Sequence, residues 1–173
     1  MEAVDRVLQD LEVDLALTEG QVFRWYGKEA VGSLFVPARG QVRQVVMPLR
    51  KGGDMVEVRF VVHPRVLKAS GPTLRHLAGL AEMRRIVGAR PEEWHLGDFS
   101  SPHRPDAMWG HVAVEYDAGF YPVGVLREKL GGLEGYPVQV WGVPSESRRA
   151  LVERIAREMA IQNLQQVLVA PWF

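Results

Sequence analysis

The sequence predicts an α/β (α+β) fold, a mixed central sheet flanked by helices, with a small β-rich domain in front of it. Three observations carry that expectation. At 173 residues, with 47% hydrophobic and 24% charged side chains, the chain is long enough for one full core plus a small appended domain, and too short for two large ones. Its first half contains apolar runs separated by glycine turns. Its second half alternates helical and strand patterns in the order helix, three strands, helix, strand, helix, strand.

Taken in order, Val4, Val7, Leu8 and Leu11 repeat at helical spacing and predict a helix over 3–12, and 18–28 reads as a second short helix or a turn. The runs 32–37, 42–49 and 55–62 are rich in Val, Phe and Met. They are separated by Ala38-Arg39-Gly40 and Lys51-Gly52-Gly53-Asp54, turns that exploit glycine's access to positive φ, and so predict a small antiparallel sheet. The proline-punctuated stretch 64–72 marks the expected boundary between an N-terminal domain, 1–68, and a second domain, 69–173. Thr73 is the expected cap of a helix carrying Leu77, Leu80, Met83 and Val87 and ending at Gly88. Strands are expected at 94–96, 106–109 and 111–117, then a helix over 123–133, a strand at 138–143, a helix from Ser145 to about Ile161 and a last strand at 166–170. Helical crossovers between strands require at least part of this sheet to be parallel and covered on both faces.

The absence of cysteine removes disulfides, thiolate zinc sites and cysteine nucleophiles, and leaves carboxylate or imidazole as metal ligands, which suits Mg2+ or Mn2+. No phosphate-binding glycine loop, Gly-x-Ser-x-Gly elbow or His-Glu-x-x-His motif occurs. No leader-like start or membrane-length apolar run is present, so the expected location is cytoplasmic, with no membrane partner. Net charge is zero, but residues 39–90 hold eleven basic side chains against three acidic ones. That asymmetry fits a surface that meets phosphate, although arginines also decorate solvated faces.

On the strand at 111–117, side-chain alternation puts Glu115 and Asp117 on one face and Val112, Val114 and Tyr116 on the other. A tight turn at Gly110 pairs it with the strand bearing Asp106, which could bring a third carboxylate to the same place. Carboxylates this close raise one another's pKa unless a cation neutralises them, so a divalent metal is the natural resolution. The alternative is plain: an aspartate after proline is often a turn residue, and Glu115 with Asp117 could be the wet face of an edge strand. His76 reads as a packing histidine rather than a base, and His103 and Arg104 as loop residues that either meet phosphate or water.

Pro105-Asp106-Ala107, Val114-Glu115-Tyr116-Asp117-Ala118-Gly119, Lys129-Leu130 and Val140-Trp141-Gly142-Val143-Pro144 with Ser147-Arg148 together resemble the replication-relaxation family of plasmid and mobile-element proteins. The C-terminal region of that family is similar to the PD-(D/E)xK nuclease fold. Leu74-Arg75-His76-Leu77 and Glu82-Met83-Arg84 are similar to its first-helix segment, and the resemblance spans roughly 72–170. It implies that Asp106 and Glu115 hold the metal with Glu82 as the first-helix acid, that Asp117 assists, and that Lys129 supplies the cation the motif normally places two residues after the glutamate, where this chain has Asp117. The first half is similar to the winged helix-turn-helix that precedes the nuclease-like part in that family, with the hairpins as wing, although no clear pair of helices joined by a tight turn is visible in the sequence. Expected DNA contacts are Arg39, Arg43, Arg50, Lys51, Arg84, Arg85, Arg104 and Arg148. The expectation is a DNA-binding protein with a nuclease-like core, a Mg2+- or Mn2+-dependent endonuclease; the alternative is a non-catalytic DNA-binding or protein-docking replication or transfer factor that keeps the fold. A homodimer is compatible with either. The terminal Pro171-Trp172-Phe173 either folds back on the core or docks a partner.

Overall fold

A computed structural model describes residues 2–36, 40–99, 101 and 103–173. Among them are six α-helices and two sheets, a mixed α+β architecture. The chain divides into two compact units, 1–81 with Trp172–Phe173, and 82–171. The expected boundary stretch 64–72 holds a 310 turn at Pro64–Val66 and the start of the long helix that runs past the division at Ala81.

The first unit opens with α1 (Ala3–Asp14), whose Val7 and Leu11 are buried as their spacing demands. A three-residue strand, β1 (Ala16–Thr18), follows. Thr18 then caps α2 (Glu19–Tyr26) through a reciprocal box: its side chain accepts from the Gln21 N–H at 3.1 Å, and the Gln21 side chain accepts from the Thr18 N–H at 3.0 Å. Gly27, at φ +87°, breaks the helix and starts α3 (Lys28–Leu34). The strand expected at 32–37 is therefore corrected: 32–34 form the end of α3. The apolar composition reads as β, but Ala30 and Leu34 lie four apart, and that helical pair is what the core receives. The tight helix pair that the sequence did not reveal is α2 and α3, and the third strand of the small sheet is β1.

β2 (Val42–Pro48) and β3 (Met55–Val62) form the expected hairpin, with Val42 opposite Val61 and Pro48 opposite Met55. Gly52, at φ +74°, makes the turn. β1 pairs antiparallel with β3, so the order is β1-β3-β2. The turn residues Ala38 and Arg39 lie outside the described residues. Trp172 is fully buried and stacks on Phe60, the ring centroids 6.4 Å apart and the planes 2° from parallel. Of the two readings of the terminal tripeptide, folding back onto the core is the one observed at Trp172, because burying an indole far outweighs leaving it in water.

α4 (Gly71–Val87) is capped by Ser70, not by Thr73. Ser70 Oγ accepts from the Thr73 N–H at 3.2 Å, a cap placed one residue ahead of Gly71 and Pro72, which occupy the first turn where proline costs no hydrogen bond. In the second unit β4 (Trp94–Leu96), β5 (Ala107–Trp109), β6 (Val112–Tyr116), β7 (Val138–Val143) and β8 (Leu164–Val169) form one sheet in sequence order. β4-β5-β6 are antiparallel, and β6-β7-β8 are parallel. The parallel steps are made by α5 (Val123–Gly132) and α6 (Glu146–Glu158), whose Leu126, Leu130, Val152 and Ile155 pack with Trp141, Val143 and Val167. On β7, Gly142 meets Met83 of α4 and the Tyr116 ring, so closely that a Cβ there would collide with both. The expected covering of the sheet on both faces is thus observed around β6 and β7.

Candidate functional site

β6 is the middle strand of five, and all of its residues are buried. Its position removes the reading of Glu115 and Asp117 as the wet face of an edge strand. Ala107 pairs with Val114, so one step further along the antiparallel ladder Asp106 comes opposite Glu115. Asp106 is held there from two sides. Its carboxylate accepts from the Tyr116 N–H at 2.8 Å, and its carbonyl accepts from the Gly97 N–H at 2.6 Å.

Glu115 is fully buried. One carboxylate oxygen is paired with Lys129 Nζ from α5. The other, Oε2, is buried and takes no hydrogen bond from the protein. Burial, first, and the Asp106 charge, second, push its pKa well above the ordinary carboxylate range, and Lys129 only partly offsets them. Lys129 is in turn fixed by the Tyr121 ring, 5.2 Å from Nζ to the centroid.

Asp117 is engaged differently. Its Oδ1 accepts from the Gly119 N–H at 2.8 Å and the Tyr121 N–H at 3.4 Å, while Oδ2 is paired with Arg148 Nε of α6. Arg148 also donates to the Tyr121 carbonyl at 2.6 Å. Two carboxylate–cation pairs therefore stand side by side behind β6, Glu115–Lys129 and Asp117–Arg148, and the second organises the loop whose Tyr121 steadies the first. Of the four side chains only the two cations reach solvent, Lys129 at 12% and Arg148 at 16%.

The structure thus brings together Asp106, Glu115 and Lys129, with Asp117 beside them but occupied. Glu82 is on α4, and no group of three or more acidic or imidazole side chains able to hold a cation forms among the described residues. Of the expected DNA contacts, Arg50 and Lys51 are exposed at the β2–β3 turn, as are Arg85 and Arg104. Arg43 donates to the Leu67 and Ala69 carbonyls, Arg84 is buried and bonds the Ala89 carbonyl, and Arg148 is engaged as above. Arg39 lies outside the described residues. Two contributors escaped the sequence reading. Tyr121 gave no signal, being one aromatic in a loop, and Gly97 could be found only by knowing which backbone it approaches. Comparisons with family models, with curated proteins and with solved structures find no match to this chain.

Proposed function

We propose that this chain is a DNA-binding protein whose second unit is a nuclease core of the PD-(D/E)xK kind, cutting phosphodiester bonds with Mg2+ or Mn2+ in plasmid, phage or mobile-element DNA metabolism. The observation that carries the reading is the convergence of Lys129, from a different element, on the Glu115 carboxylate opposite Asp106. It restores on α5 the cation missing two residues after the glutamate. The order helix, three strands, helix, strand supports the same fold.

The residues fit a divalent cation. A buried carboxylate oxygen without a donor, beside a second carboxylate, is a combination that a hard cation relieves, and Mg2+ commonly uses only one or two protein carboxylates. Asp106 and Glu115 would hold it, and it would supply a water of lowered pKa and charge stabilisation at the phosphate. Lys129 is the partly solvated cation of the site, placed to meet a phosphate oxygen and offset its developing charge. The Asp117–Arg148 pair and Tyr121 keep its ammonium in position. In the first unit the succession α1, β1, α2, α3 and the β2–β3 hairpin supports a winged helix-turn-helix, with Arg50 and Lys51 at the wing tip where phosphate contacts are expected.

One observation favours the non-catalytic alternative: Asp106 and Glu115 are 1% and 0% exposed, as in a structural ion-pair cluster. Cleavage of labelled plasmid and branched DNA, with Mg2+ or Mn2+, separates the two. Metal-dependent cleavage abolished by Asp106→Ala and by Glu115→Ala is the expected result. Intact DNA under every metal, with salt-sensitive binding retained, would leave the non-catalytic factor.

A further inference from the structure

We propose that the outer edge of β8 is where two copies of this chain meet, in a two-fold pair that joins their five-stranded sheets. β8 closes the sheet order, so its outer backbone groups have no strand beside them. Its sequence, Leu164-Gln165-Gln166-Val167-Leu168-Val169, carries no charge, proline or glycine. Free edges are normally blunted by shortness, charge or proline, because an unguarded edge is a template for another strand. The other edges follow that rule: β4 and β1 have three residues each, and β2 carries Arg43 and ends in Pro48. Among the described residues β8 is the long edge without a guard.

The surroundings identify the occupant as a second copy. α6 packs against β8 and leaves a groove of about 220 Å3 along it, lined by Glu153, Arg157 and the exposed Gln165 and Gln166. Glu153 and Arg157 are one helical turn apart on the same face. A two-fold axis normal to the sheet, passing beside Gln166, makes β8 antiparallel to its copy and α6 antiparallel to its copy. Each Glu153 then faces the other chain's Arg157, an isologous contact satisfied by its own image. Glu153 has a loose intrachain neighbour, Arg149 at 3.9 Å, and is free to turn to a better one. The zero net charge removes long-range repulsion between copies. This pairing of copies is independent of nuclease activity.

Sedimentation velocity across a dilution series of the full chain, at low salt, provides the test. The native chain should dimerise. Glu153→Arg and Arg157→Glu should each weaken the dimer by roughly tenfold or more, since either puts like charges opposite each other. Mixing the two variants should restore a dimer of native strength, because each then supplies what the other lacks. A native chain that stays monomeric, a dimer indifferent to both reversals, or a mixture that fails to associate would each overturn the proposal.

Discussion

A carboxyl in the middle strand of a sheet must be neutralised by a proton, a cation or both. Glu115 has Lys129 on one oxygen and Asp106 beside it, and its pKa lies well above the ordinary range through burial and the Asp106 charge. A carboxyl with a raised folded pKa contributes stability that is fully present below the unfolded value and lost as pH rises through the folded one. Without metal, the chain should therefore lose stability over the pH range that runs upward from the ordinary carboxylate value to the raised one of Glu115, beyond what its exposed groups cause. Asp106→Asn keeps an acceptor for the Tyr116 N–H but removes the repelling charge. Urea midpoints measured across that range should fall less steeply in Asp106→Asn than in the native chain, and equal slopes would detach Asp106 from the titration of Glu115. The meeting of Asp106 and Glu115 was legible because strand alternation and a tight glycine turn fix which side chains share a face. The pairing of Asp117 with Arg148 was not, because the ion pair joins residues 31 positions apart, across the α5 crossover and β7 to the first turn of α6.

At the scale of elements, register does the positioning. Asp106 stands at the mouth of β5, where the backbones of Gly97 and Asp106 pass so close that no side chain fits between them. A Cβ on Gly97 would come to 2.5 Å from the Pro105 carbonyl oxygen and 3.1 Å from that of Asp106, both backbone atoms that cannot swing aside. Gly97→Ala should push the 105–106 segment away from β6, lengthen the Asp106–Tyr116 hydrogen bond and break its opposition to Glu115. Cleavage, or metal binding where cleavage is absent, should drop by at least tenfold, an amount equal to about 1.4 kcal/mol. Near-UV circular dichroism should meanwhile remain native-like, and unchanged metal affinity would refute the positioning role. β3, β4 and β7 coincide with their sequence-read limits, whereas the strand expected at 32–37 went astray because the short Leu34-Phe35-Val36 run satisfies either period. β1 is buried at all three of its positions and so shows no alternation to read.

For the molecule as a whole, Trp172 is, with Trp141, among the largest fully buried side chains. It lies in the first unit although β8, three residues earlier at Val169, belongs to the second, so the last residues of the chain complete a core begun by the first. The stack on Phe60 reaches the central strand of the small sheet, and the Arg24 guanidinium donates to the Phe173 carbonyl at 2.9 Å from α2. Replacing a buried tryptophan by alanine costs about 3–5 kcal/mol through lost burial and the cavity left behind. The indole N–H of Trp172 is buried without a partner, so a phenylalanine, which lacks it, recovers much of that loss while keeping the stack. Trp172→Ala should accelerate amide exchange in β1 and β3 by several hundredfold, following from about 3–5 kcal/mol, and leave β7 close to native. Trp172→Phe should stay near native throughout. Uniform acceleration of β1, β3 and β7 would mean that the two units unfold as one, and no acceleration would mean that the indole only covers a surface already closed.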